Sequence, residues 1–270
     1  MTKSDMPPRK IAFINEKGGT CKTTLAVNLG AWLARAKGKR VLLVDLDTQG
    51  HCGKSLGVDV REVGRTVLDL LLEPAATLES VAQATAVPNL WLVPANRTLA
   101  DFPMQVANDA DRTRKLAQKT ADVTAFDYVL FDAPPSMGLV TTNIFLAASE
   151  IVIPVALTYL ALDGCAEIMA TVQRMNDEHG KADLAITMVV PTLYRRTSLA
   201  DEILKKLAAY FPETLCKTAL GYSVRIDEAQ SHGQTIWEYA PSSRGAQMLE
   251  SIGKELVSRG EKRLRKRAAS

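Results

Sequence analysis

The chain has 270 residues, 47% of them hydrophobic, and carries 33 Lys and Arg against 30 Asp and Glu. This composition provides the core material of one large globular domain, or at most two small ones. No apolar run approaches the roughly 18 residues of a membrane span, and residues 1–9 lack the apolar stretch of a signal peptide. The four cysteines form no C-x-x-C pair, so we expect a reduced, cytoplasmic chain without structural zinc.

The charge is unevenly distributed along the chain. Residues 181–270 carry 15 Lys and Arg against 10 Asp and Glu, whereas residues 1–180 carry a small excess of acid. A basic C-terminal third favours a surface that binds a polyanion. An ordinary solvated charged face is the alternative interpretation.

Short apolar runs alternate with helical stretches. The predicted strands are 11–14, 41–44, 90–93, 128–131, 151–155, 185–190 and, more weakly, 216–220. The predicted helices are 22–36, 65–72, 108–121, 139–148, 162–178, 199–210 and 242–258. Strands rich in Val, Ile, Leu and Phe with little polar alternation are typical of a parallel sheet covered on both faces. We therefore predict an α/β protein with a mainly parallel twisted sheet: a flexible N-terminus over 1–9, a single domain over 10–258 and a basic tail over 259–270.

The segment between the first predicted strand and helix, residues 15–24, reads Asn-Glu-Lys-Gly-Gly-Thr-Cys-Lys-Thr-Thr. A glycine-containing turn before a helix leaves backbone N–H groups available to phosphate. In such a loop Lys22 reaches the terminal phosphates, and the Thr23 hydroxyl ligates Mg²⁺. A turn with surface lysines is the alternative. The candidate nucleotide-binding residues here are Lys17, Gly18, Gly19, Thr20, Cys21, Lys22, Thr23 and Thr24.

Two predicted strands run directly into acidic residues. Asp45 and Asp47 follow the strand at 41–44, and Asp132 follows the strand at 128–131. Ligands of parallel sheets bind at these carboxyl ends. Phosphoryl transfer needs Mg²⁺, an acid that holds the metal's waters and a group that orients the attacking water. The three aspartates are candidates for these roles, although an aspartate at a strand end also caps turns.

These motifs resemble those of the ParA/MinD family of P-loop ATPases. The K-G-G-x-x-K-T-T spacing is similar to the family's deviant Walker A loop, in which Glu16 and Cys21 stand where the standard pattern has glycine. The segments that begin at Asp45 and Asp132 resemble its switch I and switch II. The resemblance implies a P-loop NTPase fold and an ATPase whose cofactors are ATP and Mg²⁺.

The resemblance also implies roles for single residues. Lys17 would reach across an ATP-bound homodimer to the partner's nucleotide. Asp132 would hold a Mg²⁺-bound water, Asp47 would orient the attacking water or contact the metal shell, and Asp45 would support this network. The candidate catalytic residues are thus Lys17, Lys22, Asp45 and Asp47, and the candidate metal site is formed by Thr23, Asp47 and Asp132.

The C-terminal half resembles the partitioning branch of the family, called ParA or Soj. Arg196 and Arg225 fall on positions that contact DNA in that branch, and Arg195 and Lys205 add basic charge. The resemblance implies non-specific DNA binding, slow hydrolysis stimulated by a ParB-like partner, and association with the nucleoid. Its cargo would be a chromosome, a plasmid or a protein assembly. Tyr222 either stacks on the nucleotide base or packs on the surface.

The sequence leaves two other functions open. A MinD-like membrane-associated ATPase needs bulky apolar residues in a C-terminal amphipathic helix, and the tail at 259–270 has one, Leu264, so we expect no membrane insertion. A metabolic enzyme on the same fold is the second alternative. Cys21 is either a redox-sensitive thiol, with a pKa lowered by the helix N-terminus, or a small residue tolerated at a glycine position.

Overall fold

The computed structural model describes residues 7–158 and 161–269. Within these residues one sheet contains β1 (Arg9–Phe13), β2 (Val41–Asp45), β3 (Gln83–Ala84), β4 (Leu90–Val93), β5 (Tyr128–Asp132), β6 (Glu150–Ala156), β7 (Ala185–Tyr194) and β8 (Leu220–Gly221). Their order across the sheet is β3-β4-β2-β5-β1-β6-β7-β8. All neighbours pair in parallel except β3 and β4. Sequential strands are therefore joined mainly by crossovers, as a parallel sheet requires.

Helices cover both faces of this sheet. They are α1 (Lys22–Lys37), α2 (His51–Ser55), α3 (Val67–Leu72), α4 (Leu78–Val81), α5 (Phe102–Gln105), α6 (Lys115–Lys119), α7 (Leu139–Ala147), α8 (Ala161–His179), α9 (Ser198–Tyr210), α10 (Val224–Ser231), α11 (Ile236–Tyr239) and α12 (Arg244–Ala269), with a 3-10 helix at Arg97–Asp101. Among the described helices, none combines the length and the apolar composition needed to cross a bilayer.

The hydrophobic core is divided between the two faces of the sheet. Along β5, Val129 and Phe131 pack into one cluster with α7, whereas Tyr128 and Leu130 pack into the other with α1 and α12. The alternation follows from the strand period of two. It confirms the predicted mainly parallel sheet flanked by helices on both faces.

The strand register determines where the polar residues meet. Asp132 is the β-sheet partner of Phe13 in β1 and of Asp45 in β2. The carboxyl ends of these three central strands therefore lie at one edge of the sheet. The phosphate-loop candidate follows β1, and the two acidic segments follow β2 and β5, so all three converge there.

The two chain ends differ from the prediction at their boundaries. β1 begins at Arg9, inside the segment predicted as a flexible N-terminus, because the Arg9 guanidinium makes two hydrogen bonds of 2.7 Å to the buried Glu150 carboxylate. The boundary predicted at residue 258 falls inside α12, where Arg259 pairs with Glu255 and donates to the Leu215 carbonyl. Residues 1–6 and 270 lie outside the described residues.

Two predicted elements are shorter in the structure, and several short helices are absent from the prediction. The predicted helix at 108–121 is reduced to the single turn of α6, and the predicted strand at 216–220 is reduced to β8. A single bridge between Val189 and Leu215 precedes β8. The missing helices include α2 and α10, whose few apolar residues give little helical periodicity.

Candidate nucleotide and metal site

The loop after β1 is fixed by neighbouring strands and open at its tip. The Asn15 side chain donates to the Pro154 carbonyl of β6 at 2.7 Å and accepts from the Lys17 N–H at 3.0 Å. The Thr192 hydroxyl of β7 donates to the Thr20 carbonyl at 3.1 Å. Gly18 and Gly19 are exposed, and a side chain added to either would meet no atom within 4 Å. The loop therefore presents backbone to a ligand from a rigid base.

Cys21 occupies the last loop position, immediately before α1. Its φ of 68° lies in the left-handed region, which glycine adopts without steric cost. This left-handed conformation explains why the standard P-loop pattern has glycine at this position. Cys21 adopts the same conformation with some backbone strain. α1 then starts at Lys22 with its N-terminal N–H groups directed to the loop.

Lys22 is nearly buried below the loop. Its Nζ donates to the Lys17 carbonyl at 3.1 Å. Burial lowers the pKa of Lys22, while the charges of Asp132 and Asp47 act in the opposite direction. A phosphate oxygen is a stronger acceptor for this ammonium group than the neutral loop carbonyl. The Lys22 ammonium group is therefore placed to exchange its hydrogen bond with the Lys17 carbonyl for one with a phosphate oxygen.

Thr23 and Asp132 are joined directly. The Thr23 hydroxyl donates to Asp132 Oδ2 at 2.6 Å, and the Cys52 thiol donates to the same oxygen at 3.2 Å. The other oxygen, Oδ1, is buried and has no partner among the described residues. Burial raises the pKa of Asp132 to about 6, against the opposing effects of the Thr23 and Cys52 hydrogen bonds and the Lys22 charge.

Asp45 has both carboxylate oxygens occupied by the backbone of the following segment. Oδ1 accepts from the Asp47 N–H and Oδ2 from the Cys52 N–H, each at 3.0 Å. Burial and the neighbouring Asp132 raise the pKa of Asp45 well above its ordinary value. Asp45 therefore shapes the loop that carries Asp47, and its role in the catalytic network stays a prediction.

Asp47 lies at the mouth of the site and is 9% exposed. Its Oδ1 accepts from the Gln49 N–H at 3.0 Å, which forms a tight turn. Gly50 follows with a φ of 62°, and a side chain there would meet the Ala95 carbonyl oxygen at 2.7 Å. Only glycine fits this position, and the segment after Asp47 is therefore held in one conformation.

The residues present fit a magnesium ion. Asp45 and Asp132 have carboxylate oxygens that lie within 4.8 Å of each other, and the Thr23 hydroxyl bonds to Asp132. Carboxylate and hydroxyl oxygens are hard ligands of the kind Mg²⁺ prefers, usually with several waters retained. The unpartnered Asp132 Oδ1 is a ready acceptor for such a water. Thr23 and Asp132 are the residues that would hold the ion and its water, and a contact of Asp47 with the metal shell stays a prediction.

Comparison with known proteins assigns the family. A family model described as "AAA domain" matches residues 8–186. The sporulation initiation inhibitor protein Soj of Bacillus subtilis is 39% identical, over 93% of this chain and 98% of its own. The chromosome partitioning protein ParA of Caulobacter vibrioides is 34% identical, over 97% of this chain and 98% of its own. This chain belongs to the ParA/Soj family of partitioning ATPases.

The ParA/Soj fold also matches solved structures along nearly its whole length. Cobyrinic acid a,c-diamide synthase from Mycobacterium smegmatis, solved with bound ADP and magnesium, superposes with a TM-score of 0.81. It is 28% identical and covers 94% of this chain and 96% of that one. The predicted family and P-loop fold are thus confirmed, while the roles of single residues stay predictions.

Burial weighs against the redox hypothesis for the Cys21 thiol of this ParA/Soj chain. Burial raises its pKa to about 11, although the charge of Lys22 lowers it. A helix N-terminus lowers the pKa of a thiol, and here the effect of burial is larger. The thiol therefore keeps its proton at neutral pH, which favours the interpretation of Cys21 as a tolerated small residue.

The candidate DNA-binding residues are all exposed in the C-terminal half of the chain. The Arg195 guanidinium lies 5.0 Å from the ring centroid of Tyr222, which is 50% exposed. Arg225 is exposed on α10 and pairs with Glu228 at 2.9 Å, and Arg196 is exposed beyond β7. Lys205 instead lines a groove of 1350 Å³ between α9 and α12. Tyr222 thus faces Arg195, and its contact with a base stays a prediction.

Sequence reasoning missed two residues of this ParA/Soj site. Gln230 on α10 donates to the Thr24 hydroxyl at 3.0 Å and so joins α10 to the phosphate loop. Cys52 contacts both Asp45 and Asp132. Gln230 lies in the C-terminal half that resembles the family, and Cys52 follows switch I directly. Neither residue type alone signals a nucleotide site, because the contacts depend on long-range packing.

Proposed function

We propose that this ParA/Soj protein is a Mg²⁺-dependent ATPase that dimerises with ATP, binds DNA non-specifically and positions a chromosome, plasmid or protein assembly. One observation carries the proposal. Lys22 and Thr23 of the phosphate loop meet Asp132 of switch II at the carboxyl edge of the sheet, beside Asp47 of switch I. This is the set of groups that nucleoside triphosphate hydrolysis requires.

We infer a task for each group of the site. The loop N–H groups and Lys22 bind the phosphates, and Thr23 and Asp132 hold the metal and its water. Asp47 orients the attacking water. Mg²⁺, when bound, neutralises the charge of the β- and γ-phosphates. The binding of ADP and magnesium by the M. smegmatis relative supports ATP and Mg²⁺ as the cofactors of this chain.

Dimerisation would connect the nucleotide to DNA. Lys17 extends from the same loop as Lys22, and in the dimer it contacts the partner's nucleotide. Arg196 and Arg225 of both subunits then bind DNA phosphates, with Arg195 and Lys205 adding charge. Each neutralised phosphate releases counterions, so the affinity falls steeply with salt. A dimer presents two copies of this basic surface, which makes ATP the switch for retention on the nucleoid.

Hydrolysis would end the DNA-bound state. We infer that it is slow alone and faster with a ParB-like activating partner. The names of the relatives, which include chromosome-partitioning proteins from Treponema pallidum and Caulobacter vibrioides, support this assignment over a metabolic reaction. The name of the M. smegmatis protein keeps a metabolic enzyme as the second candidate. Turnover of a small-molecule substrate without DNA retention would favour it.

The test compares DNA retention with and without ATP. Wild-type protein with ATP and Mg²⁺ should bind a duplex of arbitrary sequence, lose it at raised salt, and release it on hydrolysis. Lys22→Ala should retain neither nucleotide nor DNA. Anionic liposomes provide the comparison surface for the MinD-like alternative. Binding to liposomes as strong as binding to DNA, or DNA binding independent of ATP, would contradict the proposal.

A further inference from the structure

Cys52 is the residue of the site that the proposed function leaves unused. It is fully buried in the first turn of α2, directly after switch I. Its backbone N–H donates to Asp45 Oδ2 at 3.0 Å, and its thiol donates to Asp132 Oδ2 at 3.2 Å. One residue therefore connects an aspartate of switch I with the aspartate of switch II.

The position of Cys52 is fixed by close packing. A side chain at the adjacent Gly53 would meet Val60 Cγ1 at 2.3 Å, and one at Gly50 would meet the Ala95 carbonyl oxygen at 2.7 Å. α2 therefore packs closely against the segments that carry Val60 and Ala95. This packing places the Cys52 thiol within hydrogen-bond distance of Asp132.

The hydrogen bonds on Asp132 are strongly one-sided. Oδ2 accepts from Thr23 and from Cys52, while the buried Oδ1 has no partner among the described residues. Two donors on one oxygen restrict the carboxylate torsion and leave the other oxygen available to a further donor, such as a metal-bound water.

We propose that Cys52 is a positioning residue for the metal: its thiol orients Asp132 while its N–H orients Asp45, so that the free oxygen of Asp132 receives the metal-bound water. This inference rests on the proposed Mg²⁺-dependent nucleotide site. Without Cys52, the Thr23 hydroxyl would still donate to Asp132. Thr23 is itself proposed to bind the metal, however, and would then exchange Asp132 for the ion. The Cys52 thiol does not take part in that exchange, so it keeps the Asp132 carboxylate oriented.

The test measures the Mg²⁺ dependence of nucleotide binding, with a fluorescent ATP analogue and no turnover. Cys52→Ala should raise the Mg²⁺ concentration at half-saturation about fivefold, the factor that corresponds to one lost hydrogen bond of ~1 kcal/mol. The affinity for the analogue without metal should not change, because Lys22 and the loop are intact. Cys52→Ser retains a donor and should restore most of the Mg²⁺ response.

Cys216→Ala is the matched control, since Cys216 is also buried and donates to a carboxylate, Glu255, but lies outside the site. It should leave the Mg²⁺ response unchanged. An unaltered Mg²⁺ response in Cys52→Ala, with normal binding by wild type, would overturn the inference alone. An equal loss in Cys52→Ser and Cys52→Ala would also overturn it, because donation would then not matter. A wild type that binds no nucleotide would overturn the proposed function as well.

Discussion

The Thr23 hydroxyl donates a 2.6 Å hydrogen bond to Asp132 Oδ2 across the edge of the sheet, from the first turn of α1 to the end of β5. This bond joins the phosphate loop to switch II before any ligand binds. Asp132 is fully buried, and its carboxylate has one occupied oxygen and one oxygen without a partner among the described residues. A buried charge that is only half satisfied is costly, and that cost has a measurable pH dependence.

Asp132→Asn should stabilise the protein free of nucleotide and metal at neutral pH. Burial raises the pKa of Asp132 to about 6, so the folded state binds this proton more tightly than the unfolded state does. Protonation of Asp132 should therefore increase the wild-type free energy of unfolding as the pH falls from about 7 to about 4. Urea titrations at several pH values should show the advantage of Asp132→Asn shrinking over that range.

Asp127→Asn is the control for that titration. Asp127 precedes β5 at its opposite end, is partly exposed and pairs with Arg40. This variant removes a carboxylate that lies outside the site. If Asp132→Asn is less stable than wild type by the same amount at pH 7 and at pH 4, the charged Asp132 carboxylate does not destabilise the folded protein.

Lys17→Ala should separate nucleotide binding from dimerisation. Lys22 remains in place to bind the phosphates, so the variant should bind ATP, but it lacks the cation that reaches the second subunit. Light scattering with ATP and Mg²⁺ should give a dimer for wild type and a monomer for Lys17→Ala. Lys254→Ala, which removes an exposed lysine on α12, is the matched control and should dimerise. A normal ATP-bound dimer of Lys17→Ala would reject the role of Lys17 across the interface.

Arg225→Ala should weaken DNA retention without changing ATP affinity. The side chain is exposed, and its ion pair with Glu228 contributes little at the surface. The slope of log affinity against log salt should fall by about one for each DNA phosphate that the variant no longer neutralises. Arg61→Ala removes another exposed, paired arginine and serves as the control. Equal DNA affinity for Arg225→Ala and Arg61→Ala would remove Arg225 from the DNA surface.

Arg9→Ala should destabilise the fold by about 3–5 kcal/mol, because it leaves the Glu150 carboxylate charged and unpaired in the interior. Both side chains of this pair are almost fully buried, and Arg9 also stacks on Tyr128. Arg40→Ala breaks an exposed pair and should cost about 0–1 kcal/mol. Urea denaturation measures the free energy of unfolding of both variants. Similar decreases in the two variants would mean that burial of the Arg9–Glu150 pair does not increase the effect of breaking it.

The sequence predicted the sheet well because its central strands are continuous apolar runs that end in a glycine loop or an aspartate. Val41 to Asp45 is an example, whereas its pairing with β5 was not predicted and is seen only in the fold. The boundaries at Arg9 and Arg259 were harder to predict. Both arginines resemble solvated charges in the sequence, and only the fold brings Glu150 and the Leu215 carbonyl to them.

The candidate site likewise contains residues that the sequence could indicate and contacts that only the fold shows. Local motifs contain the loop lysines, Thr23 and the three aspartates, so the sequence alone could identify them. The pKa of Cys21 could not be predicted, because burial outweighs the helix N-terminus only once the chain is packed. The donation from Cys52 to Asp132 joins residues 80 positions apart and likewise needs the fold.

The turns that follow α2 and α10 touch through their backbones. Gly57 and Gly233 both have positive φ, and a Cβ on Gly233 would lie 2.7 Å from Gly57 Cα. No side chain separates the two turns, so their backbones are in direct contact. This backbone contact joins the segment that follows switch I to α10, and α10 carries both the Gln230 bond to Thr24 and Arg225. Two glycines thus connect the turn behind the metal edge with the helix that carries a candidate DNA-binding arginine.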